Sequence, residues 1–252
     1  MAANDLYVDD DDLSPSRKRI VIAWLTHLVT ASSAVWGLLA ILAITNQEWV
    51  QAFWWMAIAI FIDSFDGLLA RRVDVKRVLP QIDGALLDNI VDYLNYVFVP
   101  AYFLYAADML PPRWAVIGPA LILLASAYQF SQTEAKTDDH FFKGFPSYWN
   151  VMVFYMFMLD LNPLTNLLWT LFFVVMVFVP FLYIYPSRTT IQPRLMMIFG
   201  AIWGLCNLAM LILYPGFPAW IMWLALSYII YYHALSLYAT WKVYQQGEKA
   251  IV

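Results

Sequence analysis

The sequence predicts an all-α, polytopic integral membrane protein with about eight transmembrane helices. Its composition, the lengths of its apolar segments and the placement of its basic residues all predict this. Of 252 residues, 63% are hydrophobic and only 13% charged, where a soluble domain runs nearer half and a quarter. That is about 159 apolar residues, enough for roughly eight helices of about 20. The 12 Trp, 16 Tyr and 17 Phe suit a bilayer protein with aromatic belts at its interfaces. A soluble enzyme and a secreted disulfide scaffold are thereby excluded. A net charge of −4 gives no footprint for phosphate backbones, so no nucleic-acid partner is expected. The lone cysteine, Cys206, excludes an internal disulfide and a cysteine zinc site.

Residues 1–19 run acidic first (Asp9, Asp10, Asp11, Asp12) and basic second (Arg17, Lys18, Arg19). They lack the early apolar core and small-residue cleavage site of a signal peptide. A solvated tail is the expectation. Eight apolar segments follow, at about 20–44, 49–70, 84–108, 112–133, 146–161, 164–185, 194–214 and 218–243. Their separators are short and carry breakers: Asn46-Gln47-Glu48, Pro111-Pro112, Asn162-Pro163, Pro186-Ser187, and Pro215-Gly216 with Pro218. Backbone in lipid must satisfy itself, so apolar segments of this length are helices. No internal repeat is visible.

The basic residues orient the spans. With the N-terminus in the cytoplasm and eight alternating spans, the inside segments hold 13 of the 14 Lys and Arg residues, and only Arg113 lies outside. That asymmetry predicts both termini inside. The chain then divides into a cytoplasmic tail (1–19), one membrane domain (20–245) and a short cytoplasmic tail (246–252).

One stretch breaks the hydropathy pattern. Span 2 ends on Asp63-Ser-Phe-Asp66-Gly67-Leu-Leu-Ala70-Arg71, and span 3 begins Gly84-Ala-Leu-Leu-Asp88-Asn-Ile-Val-Asp92. Spacings of three and four put each aspartate pair on one helix face. Antiparallel neighbours bring all four carboxylates to similar depth near the cytoplasmic surface. An acidic side chain within a span costs roughly 3 kcal/mol at mid-bilayer and less near the ends. Like-charged neighbours add repulsion that protons or cations must relieve. Snorkelling to water would not require two pairs in register with two glycines, so the stretch reads as a site for one or two divalent ions. All-oxygen ligands favour Mg²⁺ or Mn²⁺ over zinc.

Gly67 and Ala70 each follow an aspartate by one turn and strip that face of bulk. Arg71 at the membrane edge offers a fork for phosphate. Metal ions, a phosphate-binding Arg and a ligand-sized gap imply phosphoryl or phosphatidyl transfer. No Ser, Cys or His stands in the motif as an obvious nucleophile, so direct displacement is expected.

With these residues in place, the sequence resembles the CDP-alcohol phosphatidyltransferases, whose pattern is D-x2-D-G-x2-A-R, a spacer, then G-x3-D-x3-D. Asp63, Asp66, Gly67, Ala70, Arg71, Gly84, Asp88 and Asp92 fill every fixed position. The spacer from Arg72 to Asp83 is twelve residues, longer than usual. It is similar to the bacterial branch that condenses CDP-diacylglycerol directly with choline. The resemblance extends to Val78-Leu79-Pro80, to the stretch from Tyr96 to Tyr102 and to that from His140 to Trp149. It covers most of residues 20–245.

The resemblance implies Asp63, Asp66 and Asp88 as metal ligands, with Asp92 as catalytic base and further ligand. It implies Gly67, Ala70, Arg71 and Gly84, together with Asp63, around the CDP group. Where the family carries Asn-x-x-Thr in span 1, this chain has His27-Leu-Val-Thr30. Thr30 fits; for His27, a nucleotide contact and a packed, hydrogen-bonded histidine both stay open. The resemblance further implies two Mn²⁺ or Mg²⁺ ions, with a lean to Mn²⁺, a homodimer, and a bacterial inner-membrane location with the site facing the cytoplasm. Attack by choline's hydroxyl on the β-phosphorus of CDP-diacylglycerol would expel CMP.

A quaternary ammonium calls for aromatic faces, each worth about 0.5–2 kcal/mol. Tyr96, one turn beyond Asp92, and Tyr148 and Trp149, at the start of span 5, are the candidates. Glu134, Asp138, Asp139 and His140 read as loop solvation, and Arg188 and Arg194 as positive-inside residues or lipid-phosphate contacts. His233, deep in span 8, is expected to bond a neighbouring helix. The Met residues of span 5 read as packing. Serine, inositol or glycerol phosphate are alternative acceptors. A choline or cation transporter is the alternative class, although it would place its charges at the bilayer midplane.

Overall fold

Helices that are apolar on every side need a bilayer around them, and this chain builds such helices almost throughout. The computed structural model describes residues 15–133, 135, 137, 141–186 and 188–249, the last four without their side chains. The acidic run Asp9 to Asp12, the loop residues Glu134, Asp138, Asp139 and His140, and residues 250–252 lie outside the described residues.

Helix α1 (Arg17–Thr45) begins at Ser16, whose hydroxyl accepts from the Arg19 N–H, and packs along α2 (Trp49–Val73). Ala23, Ala40, Ala43, Ala52 and Ala59 are all buried. Small side chains let the two backbones approach, as helix pairs in lipid require. Asp74, at φ 57°, ends α2 in the left-handed region and leads into the one-turn α3 (Val75–Val78). Val75, Val78 and Leu79 close on Ala23 of α1, with Ala70 against them. The long spacer is therefore a folded surface turn anchored to α1.

Asp83 restarts the helix: its Oδ1 accepts from the Ala85 and Leu86 N–H groups, both at 3.0 Å. Then α4 (Gly84–Asp92), a π-helical segment (Tyr93–Phe98) and α5 (Val99–Ala106) run on without interruption. Pro100 explains the π geometry. It has no N–H to give the Tyr96 carbonyl, and the preceding Val99 N–H reaches five residues back to Leu94. The predicted third span is thus one run of three helical types.

Beyond a turn of 3₁₀-helix at Pro112–Trp114 lie α6 (Ile117–Ser131), α7 (Trp149–Met158), α8 (Pro163–Phe178), α9 (Pro193–Leu213) and α10 (Ala219–Lys249). Among the described residues, five helices are long and apolar enough to cross a membrane: Arg17–Thr45, Trp49–Val73, Pro112–Ser131, Pro193–Leu213 and Ala219–Gln245. Their outward side chains are large and apolar, such as Leu28, Phe61, Leu124, Leu205, Ile212 and Ile230. Inside, Phe53 packs on Phe103, Phe154 and Phe157 with centroids 4.7, 5.3 and 5.3 Å away.

Two predicted spans are shorter than expected. The fifth, read as 146–161, is helical only over Trp149–Met158. The sixth, read as 164–185, leaves the helix after Phe178, because Pro180 forces Val179 out of the α region. Its end is instead strand β2 (Leu182–Ile184), antiparallel to β1 (Phe141–Lys143) with Phe142 opposite Tyr183. Tyr183 and Ile184 are buried, and buried backbone needs partners, which α10 supplies at four-residue intervals. The Tyr232 hydroxyl donates to the Ile184 carbonyl (3.0 Å), and Ser236 accepts from the Ile184 N–H (3.2 Å). Thr240 accepts from the Leu182 N–H at 3.0 Å and donates to its carbonyl at 3.2 Å, and Tyr244 donates to Pro180 at 3.0 Å.

Gly144 ends β1 at φ +80°, and a Cβ there would run into the Val177 carbonyl. Gly144→Ala should therefore destabilise the protein by more than the roughly 1–2 kcal/mol of left-handed strain alone. A thermal melt of the purified variant checks this; an unchanged Tm would contradict the account of that turn.

Candidate metal and phosphate site

The cap at Asp83 fixes the phase of α4, so Asp88 and Asp92 lie on one face, four residues apart. That face meets the C-terminal half of α2, where Asp63 lies. Carboxylate oxygens of Asp63, Asp88 and Asp92 all come within 4.8 Å of one another, each side chain half-buried. Three hard oxygen donors at that spacing fit a divalent cation such as Mg²⁺ or Mn²⁺.

Asp66 stands apart from this trio. It is buried (4% exposed) and faces α1, where the Thr30 hydroxyl is its hydrogen-bond donor, and Asp63 and Arg71 are its charged neighbours. Arg71 is exposed, and a Cβ on Gly67 would sit 3.4 Å from its Nη1. Gly67 thus leaves space beside the guanidinium. Gly84 does the same for His27: a Cβ there would stand 3.0 Å from the imidazole Cε1. His27 is 7% exposed, and its Nε2 has no hydrogen-bond partner among the described residues. A buried polar atom left unmatched is costly, and it lies beside a motif glycine. Ala70 turns toward the α3 cluster.

Sequence reasoning did not find the support around the trio. The Tyr96 hydroxyl donates to Asp63 Oδ2 at 2.6 Å, tying α2 to the π-helical segment. One residue earlier, the Asn95 amide donates to the Ser33 and Val91 carbonyls at 3.1 and 3.0 Å. A Cβ on Gly37 would lie 2.7 Å from Asn95 Oδ1, so α1 is notched to admit it. The visible signal was the polar run Thr30, Ser33 and Gly37 along α1. Tyr96→Phe removes the donor that orients Asp63 and should weaken metal affinity about 10-fold. Titrating activity against Mn²⁺ checks this, and an unaltered titration would remove Tyr96 from the site.

Of the aromatic candidates, Tyr148 lies within electrostatic range of Asp63, Asp92, Tyr185 and Tyr228. Trp149 is fully buried, its indole donating to Ser126 Oγ at 2.7 Å and packing on Phe145. That is a core position. His233 bonds the Ile229 carbonyl of its own helix at 2.8 Å, in place of the interhelical bond expected. Arg188 stacks over the Tyr185 ring at 5.4 Å.

Fold and site together define a polytopic membrane protein with a carboxylate cluster, fit for a divalent cation, where two neighbouring spans meet. No family model matches the chain. It is 46% identical over 226 residues to the phosphatidylcholine synthase of Legionella pneumophila, covering 87% of this chain and 89% of that protein. The phosphatidylcholine synthase of Bradyrhizobium diazoefficiens is 38% identical over 208 residues, 82% of this chain and 78% of that one. That of Borreliella burgdorferi is 42% identical over 170 residues, 68% and 73% of the two chains. The chain belongs to the phosphatidylcholine synthase family.

Proposed function

We propose that this chain transfers the phosphatidyl group of CDP-diacylglycerol to choline and releases CMP, as a member of the CDP-alcohol phosphatidyltransferases. The observation that carries this reading is the convergence of Asp63, Asp88 and Asp92 within 4.8 Å. The names of relatives covering most of the chain support the substrates. Asp63 and Asp88, with Asp66 alongside, would hold one or two Mn²⁺ or Mg²⁺ ions, and Asp92, the base, would touch them only as a further ligand. Bound there, the ions would neutralise the pyrophosphate and the departing CMP.

The protein's own residues do the rest. Arg71 pairs with a phosphate oxygen in the space that Gly67 keeps open. Thr30 and His27 face the nucleotide across Gly84, with Ala70 behind them; the unmatched His27 Nε2 supports a nucleotide contact over a purely packed role. Asp92 takes the proton of the choline hydroxyl. The oxygen bonds to the β-phosphorus as the bond from that phosphorus to the CMP oxygen breaks, giving phosphatidylcholine and CMP. The active site faces the cytoplasm of a bacterial inner membrane in an eight-span topology, α4 to α5, α7 and α8 supplying the spans beyond the five long helices. The active form is a homodimer.

The test is an acceptor panel. Purified protein given CDP-diacylglycerol, Mn²⁺ and choline, serine, inositol or glycerol 3-phosphate should release CMP with choline. Release with serine and not choline would overturn the assignment of acceptor.

A further inference from the structure

The β1–β2 ribbon carries Phe142 against Tyr148, the ring in electrostatic range of Asp63 and Asp92. Phe142 meets Tyr148 edge to face, with centroids 6.3 Å apart and an interplanar angle of 82°, so the two rings stand perpendicular. Tyr185 packs on Phe142 at 4.8 Å and itself lies under the exposed Arg188. Phe142 is thus braced from behind. Strand alternation puts Phe142 on the face opposite Lys143, and pairing with Tyr183 fixes that register. Tyr148 lies in range of Asp63 and Asp92, and Tyr96, hydrogen-bonded to Asp63, lies in range of Tyr148. Phe142, Tyr148 and Tyr96 are all only part-buried.

Two perpendicular rings, one of them in range of carboxylates, match one ligand chemistry well. A quaternary ammonium cannot donate hydrogen bonds; it binds through the negative faces of aromatic rings and nearby anionic charge. We infer that the perpendicular pair of Phe142 and Tyr148, with Tyr96 at its aspartate end, seats the quaternary ammonium of the acceptor. Its hydroxyl then points at Asp92. The inference rests on the proposed function and adds to it the element that selects the acceptor. It also gives the ribbon a role: the hydrogen bonds from Tyr232, Ser236, Thr240 and Tyr244 hold β2, and β2 holds Phe142.

The experiment measures CMP release by the full-length protein with CDP-diacylglycerol, varying choline and its neutral isostere 3,3-dimethylbutanol. Wild type should show a KM for choline far below that for the isostere. Phe142→Leu and Tyr148→Leu should each raise the choline KM roughly 3- to 30-fold, with the CDP-diacylglycerol KM unmoved. Phe142→Tyr and Tyr148→Phe, which keep the ring, should restore it. Leucine variants with a choline KM within twofold of wild type would overturn the inference. So would a wild type that treats the isostere as well as choline, a result that needs no variant to fold. A wild type releasing no CMP with choline would instead overturn the proposed function, a distinguishable failure.

Discussion

Asp92→Asn is expected to lower turnover by about 10²–10⁴-fold, the usual contribution of a general base. The choline hydroxyl would have no strong proton acceptor, while Asp63 and Asp88 would still present carboxylates. Metal-dependent binding of a CDP-lipid should therefore survive in large part. Binding and single-turnover chemistry, measured separately on the purified variant, check both halves. Asp92 shares the 4.8 Å cluster with Asp63 and Asp88, so the outcome discriminates. If binding is lost as completely as turnover, Asp92 is chiefly a ligand, and the base must be sought in water or His27.

Asp88→Asn should show the opposite pattern. A neutral amide is a poor ligand for a hard dication, and losing a direct ligand exceeds the roughly 10- to 100-fold cost of disturbing an outer contact. Metal-dependent nucleotide binding should fall by more than about 100-fold, with turnover falling behind it. Asp66→Asn sharpens the picture, because Asp66 turns away from the trio toward Thr30. Chelation belongs to the same expectation: EDTA should abolish activity, and added Mn²⁺ or Mg²⁺ should restore it. Full turnover in excess EDTA would contradict the metal reading.

Much of this was legible in the sequence because the signals were periodic. Eight apolar segments gave the all-helical membrane class, and the spacing of four put Asp88 and Asp92 on one face of α4, opposite Asp63 of α2, whereas Asp66 turns to α1 instead of joining them. Their convergence followed from short antiparallel connectivity. Illegible were the features that depend on contact between distant segments. The helix after Asn162 looked continuous to residue 185, and only Pro180 marked where it leaves helical geometry. Nothing local to Phe141–Lys143 and Leu182–Ile184 announced that they pair, since their partners lie on α10 and on each other. The π-helical segment followed from Pro100 but was not read from it. Trp149 shows the limit of naming aromatics by position: one residue after Tyr148, it points into the core instead of toward the aspartates.

The most direct test of the central claim is stoichiometry. Purified protein in vesicles lacking phosphatidylcholine is supplied with CDP-diacylglycerol, Mn²⁺ and labelled choline, and the products are separated. Labelled phosphatidylcholine and CMP should form in equal amounts, and neither should form without CDP-diacylglycerol. Labelled choline accumulating inside the vesicles with no CMP released would contradict the account, and would make the aspartates of α2 and α4 part of a transport pathway.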